Sequence, residues 1–292
     1  MRTVLNPPPL SAYQKLIDLS LAEDIGTGDV TSNLVIPAAH RGSARIEART
    51  ALTVSGLFVV GEVLRAVNPE IRIEGAAKEG ETVEAGRVLM RLEGSLRGIL
   101  AAERTALNFL GRLCGVATLT RLYVATVTHT ECQIVDTRKT LPGWRALDKF
   151  AVACGGGTNH RFALYDGILL KDNHIAAAGS VENAVVAALR GATPGMRVQV
   201  EVESLEDAEN ACRAGADFLL LDNQTPDQVR AIVRHLGDRA TLEASGGITL
   251  ANLKQYAETG VHRISLGTLT HSAPAADVAL ELEDGTHARA PA

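Results

Sequence analysis

The 292-residue sequence predicts an α/β protein: an incomplete, seven-stranded or similar, parallel α/β barrel joined to a smaller α+β domain. Three observations carry that expectation. From Asp136 onward, short apolar runs alternate with helical patterns, the rhythm of parallel strands joined by right-handed crossovers. Between Gly42 and Glu93 the pattern changes to short alternating segments broken by Gly, Asn and Pro, a β-rich region with a character of its own. Apolar residues make up 46% of the chain, enough for two cores, yet no apolar run is long enough to span a bilayer. The expected division is an amino-terminal α+β domain over residues 1–114, joined by a return of about residues 272–284, and a barrel over 115–271.

Taken in order, Ser11 is expected to cap a helix running to about Glu23, with Leu16, Ile17, Leu19 and Leu21 on its apolar side. The cluster EDIGTGDVTS then breaks it. Glu23, Asp24 and Asp29 among glycines invite comparison with a calcium loop, but they lack the alternation and terminal Glu of an EF-hand, so turn chemistry is the expectation. SARIEART, LTVSGLF, IRIEGAA and VLMRLEG read as strands. The Gly and Val spacing of KEGETVEAGRVLMRLEG is that of a β-sandwich of the lipoyl- or biotinyl-carrier type. No lysine follows Lys78 before Leu100, so an attachment residue is missing and the likeness concerns architecture, not function. Arg97 to Val127 reads as one helix to Arg112 and another after Gly115. At about 100° per residue, Leu100, Arg104, Leu107, Gly111 and Cys114 share a narrow stripe, so Arg104 interrupts an apolar face. A packed stem with a solvated head and a site role are both open for it.

Each barrel strand ends on residues able to do chemistry. Gln133–Val135 delivers Asp136, Arg138 and Lys139, and the run from Gly167 to Leu170 delivers Lys171, Asp172, Asn173 and His174. Between them, a helical pattern ends in Gly155, Gly156 and Gly157, which let the backbone turn back toward a ligand, and then come Asn159, His160 and Arg161. MRVQVEV ends at Glu201 and Glu203, DFLLLDN at Asp222 and Asn223, ATLEAS at Ser245, Gly246 and Gly247, and HRISLGT at Gly267 and Thr268. Six strands are too few for a closed eightfold barrel. The segment APAADVALELEDG is expected to return to the first domain as a strand or short helix, and THARAPA to be loosely held.

Asp136 to His174 carries six fixed cations against four acids, +2 in a chain of formal net charge −5, so the remaining residues carry −7. Cations delivered to one barrel mouth repel unless an anion binds, which points to an anionic small ligand. Glycine-flanked helix starts after the last two barrel strands suit a phosphate, held on backbone N–H groups of Gly246, Gly247, Gly267 and Thr268. With Glu201 and Asp222 opposite the cations, this reads as a phosphosugar site with an acid-bearing partner. Magnesium fits such a ligand, held by one or two carboxylates plus substrate phosphates, and Glu201 and Asp222 are the candidates for its shell and for ribose hydroxyls. Cys114, Cys132, Cys154 and Cys212 are widely spaced, which speaks against a zinc site or a disulfide framework. Mild acidity and few aromatics speak against nucleic acid. MRTVLNPPPL lacks the features of a signal peptide, so a soluble cytoplasmic protein without a membrane partner is expected.

DTRKTLPGWRALDKFAVACGGGTNHR followed by LLKDNH resembles the signature of the quinolinate phosphoribosyltransferases, also called nicotinate-nucleotide pyrophosphorylases (carboxylating). EDIGTGDVTS, ERTALNFL, VEVES, LLLDN, EASGGI and LGTLTHSAP agree with it along nearly the whole chain. The resemblance implies transfer of phosphoribosyl from phosphoribosyl pyrophosphate to quinolinate with decarboxylation, giving nicotinate mononucleotide, carbon dioxide and pyrophosphate. It implies substrate contacts from Arg104, Thr137, Arg138, Lys139, His160, Arg161, Lys171, Glu201, Asp222, Ser245, Gly246, Gly247, Leu266, Gly267 and Thr268. Catalysis would rest on Lys139, Glu201 and Asp222, and Arg138, His160, Arg161 and Lys171 match the family's dicarboxylate binders. It further implies a homodimer with shared active sites, possibly a higher oligomer, in which Arg104 reaches across a two-fold interface. Trp144, Phe150, Cys114 and Thr268 stand where Leu, Tyr, Ser and a smaller residue are expected, and none of these departures removes a charge. Two alternatives remain: a phosphoribosyltransferase for a monocarboxylate such as nicotinate, which would need fewer cations, and a non-catalytic phosphosugar or dicarboxylate binder. A type I phosphoribosyltransferase would show two adjacent acids and a small-residue loop, and LLLDNQT has one acid and no such loop.

Overall fold

A computed structural model of the chain describes residues 5–75 and 77–283. The THARAPA tail lies outside the described residues, as do Met1–Val4 and Asp284, at the edge of the expected return. The first helix, α1 (Gln14–Asp24), starts after Tyr13 rather than on a Ser11 cap, and only Ile17 of its expected apolar side is buried; Leu19 is 65% exposed. The middle of EDIGTGDVTS, Ile25 to Asp29, is the turn expected there, and its Asp29 caps α2 (Val30–Val35) by accepting from Ser32 N–H at 3.0 Å. There follow β1 (Arg41–Ala48), β2 (Leu52–Thr53), α3 (Leu57–Val67), β3 (Arg72–Gly75), β4 (Thr82–Val83) and β5 (Val88–Ser95). LTVSGLF thus gives a two-residue strand and then a helix, because LFVVGEVLRAV buries Val59, Val60, Val63 and Leu64 at helical spacing.

α4 (Leu96–Thr126) is one continuous helix of 31 residues, not two. Gly115 does not break it. A Cβ there would lie 2.0 Å from the Pro274 carbonyl oxygen, so the glycine admits the returning chain against the helix.

The remainder runs β6 (Gln133–Val135), α5 (Arg145–Cys154), β7 (Ile168–Leu170), α6 (Asp172–Ala178), α7 (Val181–Gly191), β8 (Val198–Val202) and α8 (Leu205–Arg213). It continues through β9 (Phe218–Asp222), α9 (Pro226–Leu236), β10 (Thr241–Ser245), α10 (Leu253–Ala257), β11 (Arg263–Ser265), α11 (Thr268–His271) and β12 (Val278–Leu282). All six strands expected in the barrel are present. They form one parallel sheet in the order β6-β11-β10-β9-β8-β7, and Thr158 adds a parallel bridge to Val135 outside β6. This is an α/β fold with an open six-stranded parallel sheet and a separate antiparallel-sheet unit.

The described residues fall into two compact units. The first comprises residues up to Arg121, Thr140–Gly156 and those from Leu269 on; the second comprises Leu122–Lys139 and Gly157–Thr268. In the first, a four-stranded antiparallel sheet has the order β12-β1-β5-β3, beside a β2-β4 ribbon. β12 is the expected return, pairing Val278 with Ala48 and Leu282 with Ala44. α5 also belongs here. Its Asp148 is fully buried and is gripped by Arg112 of α4, whose Nη2 lies 3.1 Å from both carboxylate oxygens and also donates to the Thr270 carbonyl. Trp144 stacks on Phe109 with ring centroids 4.7 Å apart, and Phe150 meets the Phe58 ring edge-on at 5.1 Å. Two of the residues that depart from the family pattern are therefore packing residues.

The four cysteines are free, and three of them are buried. Burial pushes the thiols of Cys114, Cys132 and Cys154 up to about 12. They are inert core thiols.

Candidate functional site

Strands in register place their carboxyl ends side by side, so in the second unit the sheet order dictates which chemical groups are neighbours. Lys171 follows β7, Glu201 lies in β8, Asp222 ends β9, and Ser245 ends β10 directly opposite Asp222 in the ladder. β11 leads into Leu266, Gly267 and Thr268, and its Ser265 pairs with Val135 of β6, which leads into Asp136, Thr137, Arg138 and Lys139.

The charges at this mouth interact. Lys171 Nζ is 4.0 Å from Glu201 Oε2. Burial raises the pKa of the Glu201 carboxyl, the Asp222 charge raises it further, and Lys171 opposes both. Burial likewise raises Asp222, against the pull of Lys171 and Lys139. Asp172 raises both. Two acids on adjacent strands thus face two lysines, and each acid is harder to ionise than an exposed one. On the cationic side, burial lowers the pKa of Arg161 and the neighbouring Arg138 charge adds to that effect. Arg161 Nη1 donates to the Gly167 carbonyl at 2.9 Å. Asp166 opposes both effects, and guanidinium forks of this kind suit a carboxylate ligand.

The backbone after β9 and β10 is built for close approach. Asn223, at φ +52°, is the one non-glycine residue with positive φ among the described residues. Its Nδ2 donates to Asp222 Oδ2 at 2.6 Å, and its backbone N–H donates to the Ser245 carbonyl at 2.9 Å. Gly246 packs against it at φ +91°, and a Cβ on Gly246 would fall 2.2 Å from Asn223 Oδ1. Gly247, at φ +62°, has nothing within 4 Å of such an atom, so its backbone faces open space.

His160 lies deeper. Its ring Nδ1 accepts from the Arg161 N–H at 2.7 Å, its Nε2 is 2.8 Å from Gln199 Oε1, and its own backbone N–H donates to Asp136 Oδ1 at 2.8 Å. Below it sits Glu243, wholly buried, with Oε1 3.5 Å from His160 Nε2 and Oε2 3.7 Å from Arg263 Nε. Burial raises the pKa of the Glu243 carboxyl, opposed by Arg263 and by the Ser265 and Gln199 side chains. Gln199, Glu243 and Arg263 carried no weight in the sequence reading. Parity could have found them: Gln199 shares a face with Glu201, Glu243 with Ser245, and Arg263 with Ser265, because side chains two apart on a strand point the same way.

Of the residues singled out by sequence, Thr137, Arg138, Lys139, His160, Arg161, Lys171, Glu201, Asp222, Ser245, Gly246, Gly247, Leu266, Gly267 and Thr268 all belong to the second unit. Arg104 belongs to the first, exposed on α4 between buried Ala102 and Thr105. Gly155 serves packing: a Cβ there would meet the Ala117 carbonyl oxygen at 2.5 Å, and it is Gly156, at φ +88°, that turns the chain. His174 accepts from the Lys171 N–H at Nδ1, 2.9 Å away, and so fastens the start of α6. A cleft of about 730 Å³ opens at the opposite, amino-terminal strand ends, beside Gln133, Arg197, Thr241 and His262. It touches none of the carboxyl-end residues.

Comparison with known proteins agrees with this geometry. The profile of the quinolinate phosphoribosyl transferase C-terminal domain matches residues 116–281, and that of the N-terminal domain matches residues 29–114. The chain belongs to the quinolinate phosphoribosyltransferase family. It is 40% identical over 269 residues to a probable nicotinate-nucleotide pyrophosphorylase [carboxylating] of Bacillus subtilis, covering 92% of this chain and 93% of that one. It is 38% identical over 285 residues to the nicotinate-nucleotide pyrophosphorylase [carboxylating] of Mycobacterium leprae, covering 96% and 100%. The solved structure of the nicotinate-nucleotide pyrophosphorylase from Francisella tularensis superposes with a TM-score of 0.92 at 36% identity, covering 96% of this chain and 99% of that one.

Proposed function

We infer that this chain transfers the phosphoribosyl group of phosphoribosyl pyrophosphate to quinolinate and releases carbon dioxide, an enzymatic step of NAD biosynthesis. The observation that supports it best is the pairing of clustered cations with two adjacent carboxylates at one set of strand ends. Arg138 and Arg161 bind the dicarboxylate by two-point contacts, and Lys171 adds a point charge. Lys139 lies between the acid and the departing pyrophosphate. Glu201 and Asp222 hold the ribose hydroxyls and favour the positive charge that develops on the sugar carbon, which is electrostatic work rather than nucleophilic catalysis. Thr137, Ser245, Leu266 and the backbones of Gly246, Gly247, Gly267 and Thr268 seat the phosphosugar. Quaternisation of the ring nitrogen lets the ring hold the electrons left by decarboxylation, so the protein has only to orient the leaving carboxylate.

The donor set fits magnesium held partly by substrate. Glu201 and Asp222 are adjacent acids whose ionisation is hindered, a condition that a divalent cation relieves. Among the described residues no group of three or more His, Cys, Asp or Glu could hold a metal, so the pyrophosphate oxygens would supply the other ligands. Bound there, the ion would neutralise charge on the leaving pyrophosphate.

Arg104 is assigned to the site of a neighbouring copy in a homodimer, because it is an exposed cation in the family's ERTALNFL segment and an isologous interface builds two sites at once. Co-refolding an Arg104→Ala chain with a Lys139→Ala chain should restore activity toward about a quarter of the unsubstituted level. No recovery despite subunit exchange would place Arg104 elsewhere. A cytoplasmic location is likewise proposed; among the described residues no helix is long and apolar enough to cross a membrane. Nicotinate tests the monocarboxylate alternative. It leaves cations unpaired and should be turned over about 10⁴-fold less well than quinolinate, whereas comparable turnover would favour that alternative.

A further inference from the structure

The cationic side of the site poses a physical problem before substrate arrives. Arg161 is partly buried and feels the Arg138 charge, with Asp166 opposing, so its place depends on how firmly the chain holds it. The chain at 160–161 is pinned. Asp136 Oδ1 takes the His160 N–H at 2.8 Å, and the His160 ring takes the Arg161 N–H on Nδ1 at 2.7 Å.

That second contact decides the tautomer. A ring nitrogen that accepts a backbone N–H carries no proton, so the proton of the neutral imidazole sits on Nε2. Nε2 then donates to Gln199, which must present its oxygen rather than its amide nitrogen, and the 2.8 Å partner is indeed Oε1. The Glu243 carboxyl stands behind the same ring nitrogen, its Oε1 3.5 Å from His160 Nε2. Gln199 is 2% exposed and Glu243 wholly buried, and neither has a place among substrate-binding groups.

We propose that Gln199 and Glu243 are positioning residues for the acid-binding Arg161, acting through His160: the Gln199 oxygen and the Glu243 carboxylate hold the imidazole at Nε2, and the imidazole pins the Arg161 backbone through Nδ1. This rests on the assignment of Arg161 to the quinolinate carboxylates. His160 then serves the dicarboxylate through its neighbour, since both its ring nitrogens are engaged by the protein. Preorganising two like charges before the ligand binds moves the ordering cost out of the binding step, so loss of the relay should weaken the acid substrate selectively.

Two measurements on the full chain test this. ¹⁵N NMR of the histidine-labelled protein, with the His160 signals identified by their loss in His160→Asn, should show the proton on Nε2; a proton on Nδ1 overturns the relay. This readout needs no turnover, so it separates failure of the relay from failure of the proposed reaction. In steady-state kinetics, Gln199→Met keeps the side-chain volume and removes the acceptor. It should raise KM for quinolinate about tenfold while KM for phosphoribosyl pyrophosphate stays within about twofold, the loss of one hydrogen bond felt at one substrate. Glu243→Gln should shift the same KM in the same direction by less. Equal changes in both KM values, or a fall in kcat alone, would mean that these residues only support the scaffold and would overturn the proposal, and either variant suffices if the other does not fold.

Discussion

Replacing Gly246 by alanine should damage the sugar side of the site through a residue it does not itself provide. At φ +91° an L-residue is strained, at a cost of about 1–2 kcal/mol. The new Cβ would lie 2.2 Å from Asn223 Oδ1 and 2.8 Å from its backbone nitrogen, so Asn223 must move. It cannot do so without disturbing two bonds, from Nδ2 to Asp222 and from its N–H to the Ser245 carbonyl. Weakening one or both adds roughly 1–2 kcal/mol, for a total of about 2–4 kcal/mol. Urea unfolding should register that loss, and Gly247→Ala, which meets nothing within 4 Å, should cost no more than the conformational part, about 1–2 kcal/mol. Because Asp222 loses the group that orients it, KM for phosphoribosyl pyrophosphate should rise more than KM for quinolinate. A Gly246→Ala protein as stable as the unsubstituted one, with both KM values unchanged, would refute the reasoning.

Three further outcomes are expected. Arg161→Ala or Lys171→Ala should weaken quinolinate by about 1.5–3 kcal/mol and phosphoribosyl pyrophosphate by less, measured by titration calorimetry; equal weakening would count against their assignment. Arg112→Met strands the buried Asp148 carboxylate and should cost about 3–5 kcal/mol of stability at neutral pH. Burial already holds Asp148 above the ordinary carboxylate range despite Arg112. A raised acid contributes stability below its unfolded pKa and loses that contribution as pH rises through its folded pKa, so denaturation across that window should show a steeper fall in the variant. Asp172→Asn removes a charge that raises both Glu201 and Asp222, so the acid limb of kcat/KM for phosphoribosyl pyrophosphate should move to lower pH; an unmoved limb would mean that neither acid titrates in it.

How much of this was legible in the chain varies with the kind of signal. QIV, ILL, VQVEV, FLLLD, TLEAS and RIS were recognisable as buried parallel strands because each apolar run stops at a polar residue, and those stops are the site. α3 was not, since LFVVGEVLRAV is apolar enough to read as either element and only its packing partners decide. Gly115 read as a break when its missing side chain instead admits the Pro274 carbonyl, a contact 159 residues away that no local pattern contains. Gln199 and Glu243 lie inside strands whose carboxyl ends carried the sequence signal, although strand parity aligns them with Glu201 and Ser245. Arg104 announced itself as a charge on an apolar helix stripe and proved to be exposed at its own position between buried neighbours.

Incubating the purified protein with quinolinate labelled in the carboxyl group next to the ring nitrogen, with and without phosphoribosyl pyrophosphate and magnesium, tests the central claim most directly. Labelled carbon dioxide should appear only when phosphoribosyl pyrophosphate is present, in step with one nicotinate mononucleotide and one pyrophosphate. Binding of both substrates without release of carbon dioxide, or release that does not depend on phosphoribosyl pyrophosphate, would contradict it.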